Sequence, residues 1–156
     1  MVDKDVYYQV ILDGFSRYLE SPFMADVTRT ITRYPDARFY VALNKNQMAS
    51  KKWLIDELYR AQGSELGTVY ILGGWYGILS AMVLNDDRFN IDCVVSFDMD
   101  PACEPIAEFM NRRHVEQNRF HAVTADVNRI EYPHTIGSRP NGASAPDVVI
   151  NTSCEH

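Results

Sequence analysis

The feature that most constrains the fold is an alternation of strand-like and helix-like segments that starts near Thr68. Four short apolar runs, rich in β-branched residues, are separated by loops and helical patterns; they are 68–72, 91–97, 120–124 and 147–150. Alternating strands and helices favour a mainly parallel sheet with right-handed crossover connections. The sequence therefore predicts an α/β fold built on four strands.

The first part of the chain has helical periodicity instead. Four apolar residues recur at every fourth position and predict a stripe that packs in the core: Tyr7, Ile11, Phe15 and Leu19. A second helix is expected to begin at Pro22, and a third to cover 47–62 with Trp53 extending its apolar face. We expect a helical N-terminal cap over 1–66 and a Rossmann-like core over 67–156.

Composition and charge restrict the classes of partner. The chain has 156 residues, 46% of them hydrophobic and 23% charged, which is typical of a globular domain. Its net charge of −6 argues against nucleic acid as the main partner. The sequence has no bilayer-length apolar run, its N-terminus does not resemble a secretory signal, and its three cysteines are an odd count. These features predict a cytoplasmic protein without a membrane partner.

Glycines and carboxylates follow the predicted strands, where open parallel sheets bind their ligands. The first strand runs into a glycine-rich turn at 73–77, and glycine permits a sharp turn and a close approach to a ligand. The helix that follows would present free N–H groups to that ligand. The second strand is followed by 98–100, the third by 125–126 and the fourth by 151–156.

Asp98 is the strongest single candidate for binding a ligand. It follows Gly73 by about the interval that dinucleotide-binding sequences place before a ribose-binding acid. A carboxylate there would accept hydrogen bonds from two ribose hydroxyls. Asp98 or Asp100 could instead only cap the next helix, and both roles are compatible if Asp98 holds the ligand and Asp100 the helix. Asp126 could contact a nucleobase edge or only form a turn.

The order of these features resembles the class I S-adenosylmethionine-dependent methyltransferases. The resemblance rests on the glycine turn, the acids that follow the second and third strands, and the segment 147–156, Asp-Val-Val-Ile-Asn-Thr-Ser-Cys-Glu-His. It covers roughly Thr68 onward and implies a sheet ordered 3-2-1-4 with S-adenosylmethionine as cofactor. It further implies that the glycine turn lies beneath the methionine part, Asp98 binds the ribose and Asp126 contacts the adenine amino group.

The resemblance implies further cofactor contacts in the turn and after two strands, at Gly73, Gly74, Trp75, Gly77, Met99 and Asn151. Trp75 stands where the family usually has glycine, and Ile71 where it usually has an acid. The indole is expected to alter the cofactor's position or to pack beside it. Because the family fold continues beyond a fourth strand, we expect either a missing C-terminal segment or a homo-oligomer to cover that strand's edge.

Methyl transfer mainly requires that the acceptor be held in line with the methyl group and that water be excluded. Such positioning can contribute roughly 7–11 kcal/mol. A general base is needed only when the acceptor loses a proton, and Glu155 and His156 are the candidates for it. The fourth strand is not followed by the Asn-Pro-Pro-Tyr or Pro-Cys patterns of enzymes that methylate DNA. Together with the acidic charge, this favours a small-molecule or protein substrate.

Several alternatives stay open from the sequence. The same cofactor could serve aminopropyl transfer or a lyase reaction, and the chain could be a nonenzymatic binding module. A nicotinamide-dependent dehydrogenase is a further alternative, although no clear G-x-G-x-x-G occurs. Cys154 beside His156 could act as a thiol nucleophile, but no third orienting group is visible. The four histidines lack the spacing of metal ligands, so no metal site is expected.

Overall fold

The computed structural model describes residues 3–132 and 145–153. Its strands are β1 (Glu65–Leu72), β2 (Asn90–Asp98), β3 (Phe120–Thr124) and β4 (Val148–Asn151). Its helices are α1 (Lys4–Tyr18), α2 (Pro22–Arg33), α3 (Phe39–Ala42), α4 (Lys45–Gln62), α5 (Ile78–Leu84), α6 (Cys103–Met110) and α7 (Arg112–Glu116), with a 3₁₀ turn at Val127–Arg129. All strand pairs are parallel and the order is β3-β2-β1-β4, which confirms the predicted fold class and strand order.

Strand β1 lies at the centre of the fold because it pairs with β2 on one side and β4 on the other. Its alternating side chains serve two separate parts of the core. Val69 and Ile71 are fully buried among helix residues on one face of the sheet. Tyr70 and Leu72 are buried on the other face, where the 3₁₀ turn and its neighbours pack against them. Burial on both faces explains why the run is continuously apolar rather than alternating.

Helix α2 begins at the predicted Pro22, and α4 ends at the predicted Gly63. Ser21 Oγ accepts the Met24 N–H at 3.2 Å, which caps α2 just ahead of Pro22. Asn44 caps α4 in the same way, two residues earlier than the spacing predicts. Gly63 follows α4 with a φ of +73°, a conformation that suits glycine.

The prediction that the stripe of α1 packs in the core is wrong. Tyr7, Phe15 and Leu19 are 55%, 54% and 57% exposed, respectively. The buried residue of α1 is Ser16, whose hydroxyl is satisfied because it donates to Asp13 O at 2.8 Å. Trp53, expected on the apolar face of α4, is also exposed. Periodicity locates an apolar face but does not say what covers it.

Several ion pairs and aromatic contacts join the N-terminal helices to the sheet-forming part of the chain. Arg113 on α7 donates two hydrogen bonds to the buried Asp26 carboxylate on α2, at 2.6 and 3.0 Å. The Phe39 ring lies 5.1 Å from that of Tyr76, whose hydroxyl accepts the Arg38 N–H. The helical segment thus packs directly on the glycine turn that contains Tyr76. The predicted domain boundary between residues 66 and 67 stays a prediction.

His114 makes the stability of the fold depend on pH. The side chain is buried on α7, and neither ring nitrogen has a hydrogen-bond partner among the described residues. Burial first, and then the charges of Arg113 and Arg119, lower its pKa below the ordinary 6.5. The unfolded chain therefore takes up this proton more readily than the folded chain does. Stability is fully present above pH 6.5 and is lost as the pH falls through the lowered folded-state pKa.

Urea unfolding between about pH 5 and pH 8 checks this expectation. The free energy of unfolding should fall on the acid side in the parent protein and fall less in His114→Leu, which has no proton to bind. An acid-side slope equal in the two proteins would contradict the assignment to His114.

Among the described helices, none is both long and apolar enough to cross a membrane.

Candidate functional site

The glycine turn between β1 and α5 is a tight structure whose first N–H groups face the protein. Gly73 N and Gly74 N both donate to the carbonyl oxygen of Phe97 at 2.9 Å, and Gly77 N donates to Gly74 O at 3.0 Å. Trp75 N donates to Asp98 Oδ2 at 2.8 Å. These bonds tie the turn to the end of the neighbouring strand β2. Residues 73, 74 and 75 therefore direct their N–H groups toward β2.

Close packing explains why glycine occupies three positions in this turn. A Cβ on Gly73 would lie 2.7 Å from the backbone N and Cα of Ser153, and one on Gly74 would overlap Ser96 Oγ. A Cβ on Gly77 would lie 2.7 Å from Asn111 Nδ2. Gly73 and Gly77 also adopt positive φ angles of +73° and +77°. The close approach predicted for a ligand is therefore, in the described structure, an approach by the protein's own atoms.

Trp75 departs from the backbone conformations that bulky residues favour. Its φ is +50°, in the left-handed region that carries a steric penalty for a residue with a Cβ. The hydrogen bond to Asp98 holds this conformation, and the indole packs against Tyr76 at a ring distance of 5.0 Å. Backbone outliers of this kind cluster at functional sites.

Asp98 lies at the end of β2, half-buried, and uses both carboxylate oxygens within the protein. Oδ2 accepts the Trp75 N–H, and Oδ1 accepts the Asp100 N–H at 3.0 Å. Asp100 in turn accepts the Ala102 N–H at 2.9 Å, immediately before α6 begins at Cys103. A carboxylate has about four acceptor positions, so Asp98 retains capacity for further donors. Asp100 thus lies just before α6 without capping it, since the N-cap residue is Ala102 and no side chain bonds at the cap. The ligand-binding role of Asp98 stays a prediction.

A narrow cleft lies beside Asp98, between α6 and the carboxyl ends of β2 and β3, and its roughly 180 Å³ of empty space includes open solvent. Its described lining is Trp75, Ser96, Asp98, Cys103, Glu104, Ala107, Ala122, Val123 and Thr124. This lining contains two carboxylates and no Lys, Arg or His. Glu104 accepts hydrogen bonds from both the Thr124 N–H and the Thr124 hydroxyl, at 2.9 and 2.5 Å. The cleft is therefore acidic, and one of its carboxylates is fixed by the end of β3.

Burial and the neighbouring carboxylates suppress ionisation of the Cys103 thiol. Burial first, then the charges of Asp98 and Asp100 and a hydrogen bond to Asp98, raise the pKa of Cys103 to about 12. A thiol is nucleophilic only as the thiolate, so Cys103 is suited to packing rather than to catalysis.

Alkylation should therefore distinguish the two described cysteines. In the folded protein at neutral pH we expect iodoacetamide to modify the half-buried Cys93 well before the buried Cys103, as measured by peptide mass spectrometry. In denaturant the two should react at similar rates, which provides the control. Faster labelling of Cys103 in the folded protein would show that the cleft does not suppress its ionisation.

Asp126 lies close to Asp98 along the strand ends, because Ala125 N donates to the backbone oxygen of Asp98 at 2.9 Å. Asp126 caps the 3₁₀ turn by accepting the Asn128 N–H at 3.0 Å, and it lies 3.5 Å from Arg129 Nε. The turn-forming role considered from the sequence is thus present. The Asp126 side chain is 36% exposed and stays accessible from the same edge of the sheet.

The remaining predicted residues are arranged differently. Met99 is 64% exposed beside Asp98. Asn151, the last residue of β4, is exposed and accepts the Ser153 N–H at 3.0 Å and its hydroxyl at 2.6 Å. Glu155 and His156, the predicted general bases, lie outside the described residues, as does Cys154.

Three residues that the sequence did not single out shape the site. Ser96 is two positions before Asp98 on the same strand and fills the space above Gly74, an i, i+2 relation that could have identified it. Thr152 donates its N–H and hydroxyl to Leu72 O at 2.8 and 3.0 Å, and its hydroxyl also lies 3.0 Å from Gly73 O. Glu104 acts across 20 residues of sequence, which no local pattern indicates.

Within the described ranges, no group of three or more His, Cys, Asp or Glu side chains could hold a metal ion.

No protein-family model and no curated protein matches this chain. Solved structures do match. A protein of Methanococcus maripaludis assigned as an S-adenosyl-L-methionine-dependent methyltransferase is 15% identical over 67% of this chain and 42% of its own, with a TM-score of 0.47. A protein of Galdieria sulphuraria assigned as a sarcosine dimethylglycine methyltransferase is 13% identical over 56% and 34%, with a TM-score of 0.46.

A third match is geranyl diphosphate C-methyltransferase of Streptomyces coelicolor, solved with Mg²⁺, geranyl-S-thiolodiphosphate and S-adenosyl-L-homocysteine. It is 17% identical over 55% of this chain and 29% of its own, with a TM-score of 0.44. The chain spans about a third to two fifths of the length of the first two proteins. The aligned regions cover 55–67% of this chain, and at identities of 13–17% with TM-scores of 0.44–0.47 any likeness concerns the fold alone.

Proposed function

We propose that this chain binds S-adenosylmethionine at the carboxyl edge of its sheet and takes part in methyl transfer to a small molecule or a protein. The observation that carries the proposal is the internal hydrogen bonding of the glycine turn beside Asp98. The N–H groups of Gly73, Gly74 and Trp75 already bond to the end of β2. Asp98 retains acceptor capacity at the mouth of an acidic cleft.

This arrangement suits a ligand without phosphate groups. Dinucleotide-binding turns hold a pyrophosphate through free N–H groups at a helix N-terminus, often with basic side chains nearby. Here the first three N–H groups of the turn are used internally, and the described cleft lining has Asp98 and Glu104 without a cation. S-adenosylmethionine has no phosphate and carries a positive sulfonium, so an acidic cleft favours it over a nicotinamide dinucleotide.

The residues present also fit the cofactor's polar groups. The remaining lone pairs of Asp98 suit two ribose hydroxyls. Asp126 lies at the adjoining strand end, and its half-buried carboxylate, 36% exposed beside Asn128 and Arg129, has further lone pairs that suit an amino group. The half-buried Trp75 supplies an aromatic wall to the cleft. Met99 and Asn151, both exposed at strand ends, complete the proposed contact set. When bound, the sulfonium would supply a methyl group that is electrophilic without further activation.

We assign the general-base role to Glu155 and His156 only for acceptors that must lose a proton. The variant Glu155→Gln should then leave cofactor affinity unchanged and reduce turnover. The proposal that the acceptor is a small molecule or a protein, rather than DNA, rests on the acidic charge and on the absence of the DNA-methylating sequence patterns.

Thermal shifts and product analysis test the proposal. S-adenosylmethionine and S-adenosylhomocysteine should raise the unfolding temperature because each binds the folded state, whereas NAD should leave it unchanged. Formation of S-adenosylhomocysteine indicates methyl transfer, and formation of methylthioadenosine indicates aminopropyl or lyase chemistry instead. A shift with NAD alone would overturn the proposal. Binding without either product would favour a nonenzymatic module.

A further inference from the structure

Helix α1 presents its apolar side chains to solvent and a polar side chain to the protein. Its buried residue is Ser16, and Gln9, two turns earlier on the same face, is half-buried. Nine large hydrophobic residues of this helix and the residue after it are exposed: Val6, Tyr7, Tyr8, Val10, Ile11, Leu12, Phe15, Tyr18 and Leu19. A surface helix normally turns its apolar stripe inward. At 3.6 residues per turn these nine residues, here called the outer face of α1, span about two thirds of the helix circumference. This inverted arrangement marks the outer face as an interaction surface.

The exposed apolar area is large enough for a reversible interface. The four aromatic residues of the outer face are between 54% and 83% exposed. Full burial of an aromatic side chain covers 150–250 Å², so these four alone present roughly 400–600 Å². The five aliphatic residues are 36–65% exposed and add to this area. Because the outer face spans about two thirds of the helix circumference, one partner helix covers only part of it and buries less than the roughly 800 Å² per partner of a standard interface. Monomeric proteins rarely expose a contiguous apolar patch of this size.

Gly14 indicates that the occupant is another helix that crosses α1 closely. It lies inside α1, where glycine is disfavoured relative to every residue except proline. A Cβ at this position would meet nothing within 4 Å, so packing within the described chain does not require glycine here. Val10 and Tyr18 flank it at one turn on each side. The row formed by Val10, Gly14 and Tyr18 therefore has a notch at Gly14 that a second helix can enter.

We propose that two copies of this chain associate through α1, with the outer face of one copy against that of the other. A two-fold axis lets the same surface serve both copies, and the four-residue rows of two such helices can interdigitate. Charge does not oppose this pairing. Helix α1 contains two basic and two acidic residues and is neutral as a segment, although the chain carries −6.

Sedimentation velocity over a dilution series of the full chain tests the proposal. The parent protein should show a reversible monomer–dimer equilibrium. Phe15→Glu places a carboxylate in the apolar interface and should weaken the dimer by at least about tenfold. Gly14→Gln fills the notch and should also weaken the dimer. At high dilution the same variant should raise the unfolding temperature of the monomer, because glutamine favours the helix. A merely structural role for Gly14 would not produce these opposite changes.

Two exposed apolar residues elsewhere provide matched controls. Trp53→Glu on α4 and Val149→Lys on the edge strand β4 should leave the dimer unchanged. A monomer at all concentrations would overturn the proposal. So would a dimer that Val149→Lys weakens and Phe15→Glu does not, since that result would place the interface at the sheet edge. Cofactor binding does not enter this readout, so the result is independent of the proposed function.

Discussion

Asp98→Ala is expected to weaken the binding of S-adenosylmethionine by at least about a hundredfold. The change removes the acceptor proposed for the ribose, and hydrogen bonds to a charged group contribute about 1.5–3 kcal/mol each. It also releases the Trp75 N–H, which Asp98 Oδ2 holds at 2.8 Å, so the strained turn loses its support. Two effects of this size together correspond to a loss of about two orders of magnitude in affinity. Isothermal titration calorimetry measures it.

Two companion variants separate ligand contact from damage to the fold. Asp92→Ala removes an exposed carboxylate near the other end of the same strand and should leave affinity unchanged. Asp98→Asn keeps one acceptor oxygen and should lose less affinity than Asp98→Ala. Urea unfolding of each variant shows whether the turn is still folded. Undiminished affinity in a folded Asp98→Ala protein would contradict the assignment of Asp98 as the main anchor.

Gly74→Ala is expected to lower the free energy of unfolding by about 2–3 kcal/mol, because the added Cβ overlaps Ser96 Oγ in a closely packed turn. The turn is fastened to β2 by two hydrogen bonds to Phe97 O, so it cannot move away without losing them. Urea denaturation with an unchanged m-value measures the loss.

The reciprocal change tests whether this one contact is responsible. Ser96→Gly removes the hydroxyl and the Ser96 Cβ, which also lies within 3.1 Å of the added methyl group. The double variant should therefore recover part of the stability that Gly74→Ala loses, as a positive coupling in a double-mutant cycle. Strictly additive losses would show that Ser96 does not set the requirement for glycine.

The sheet and the position of its acids could be predicted from the sequence because both depend on local patterns. A continuously apolar run such as 68–72 indicates a strand buried on both faces, and parallel strands bring their carboxyl ends to one edge. Asp98 and Asp126 therefore lie at neighbouring strand ends, as expected. The helix starts at Pro22 and near residue 47 followed from capping residues and spacing in the same way.

The bonding of the glycine turn to other parts of the chain could not be predicted, because it depends on contacts between residues distant in sequence. The bonds from Gly73 and Gly74 to Phe97 and the approach of Ser153 to Gly73 join residues about 23 to 80 positions apart. Sequence reasoning assigned those N–H groups and that space to a ligand. The prediction that the apolar stripe of α1 packs in the core failed for a different reason. Its period is clear, but periodicity does not show whether the chain itself or a partner covers the face.

A calorimetric titration of the full chain with S-adenosylhomocysteine and, separately, with NAD tests the central claim most directly. A turn whose first three N–H groups are engaged and a cleft lined by Asp98 and Glu104 should accept S-adenosylhomocysteine, a zwitterion without phosphate, and reject a diphosphate. We expect saturable one-to-one binding of S-adenosylhomocysteine and no heat of binding with NAD. Saturable binding of NAD with no response to S-adenosylhomocysteine would contradict the account.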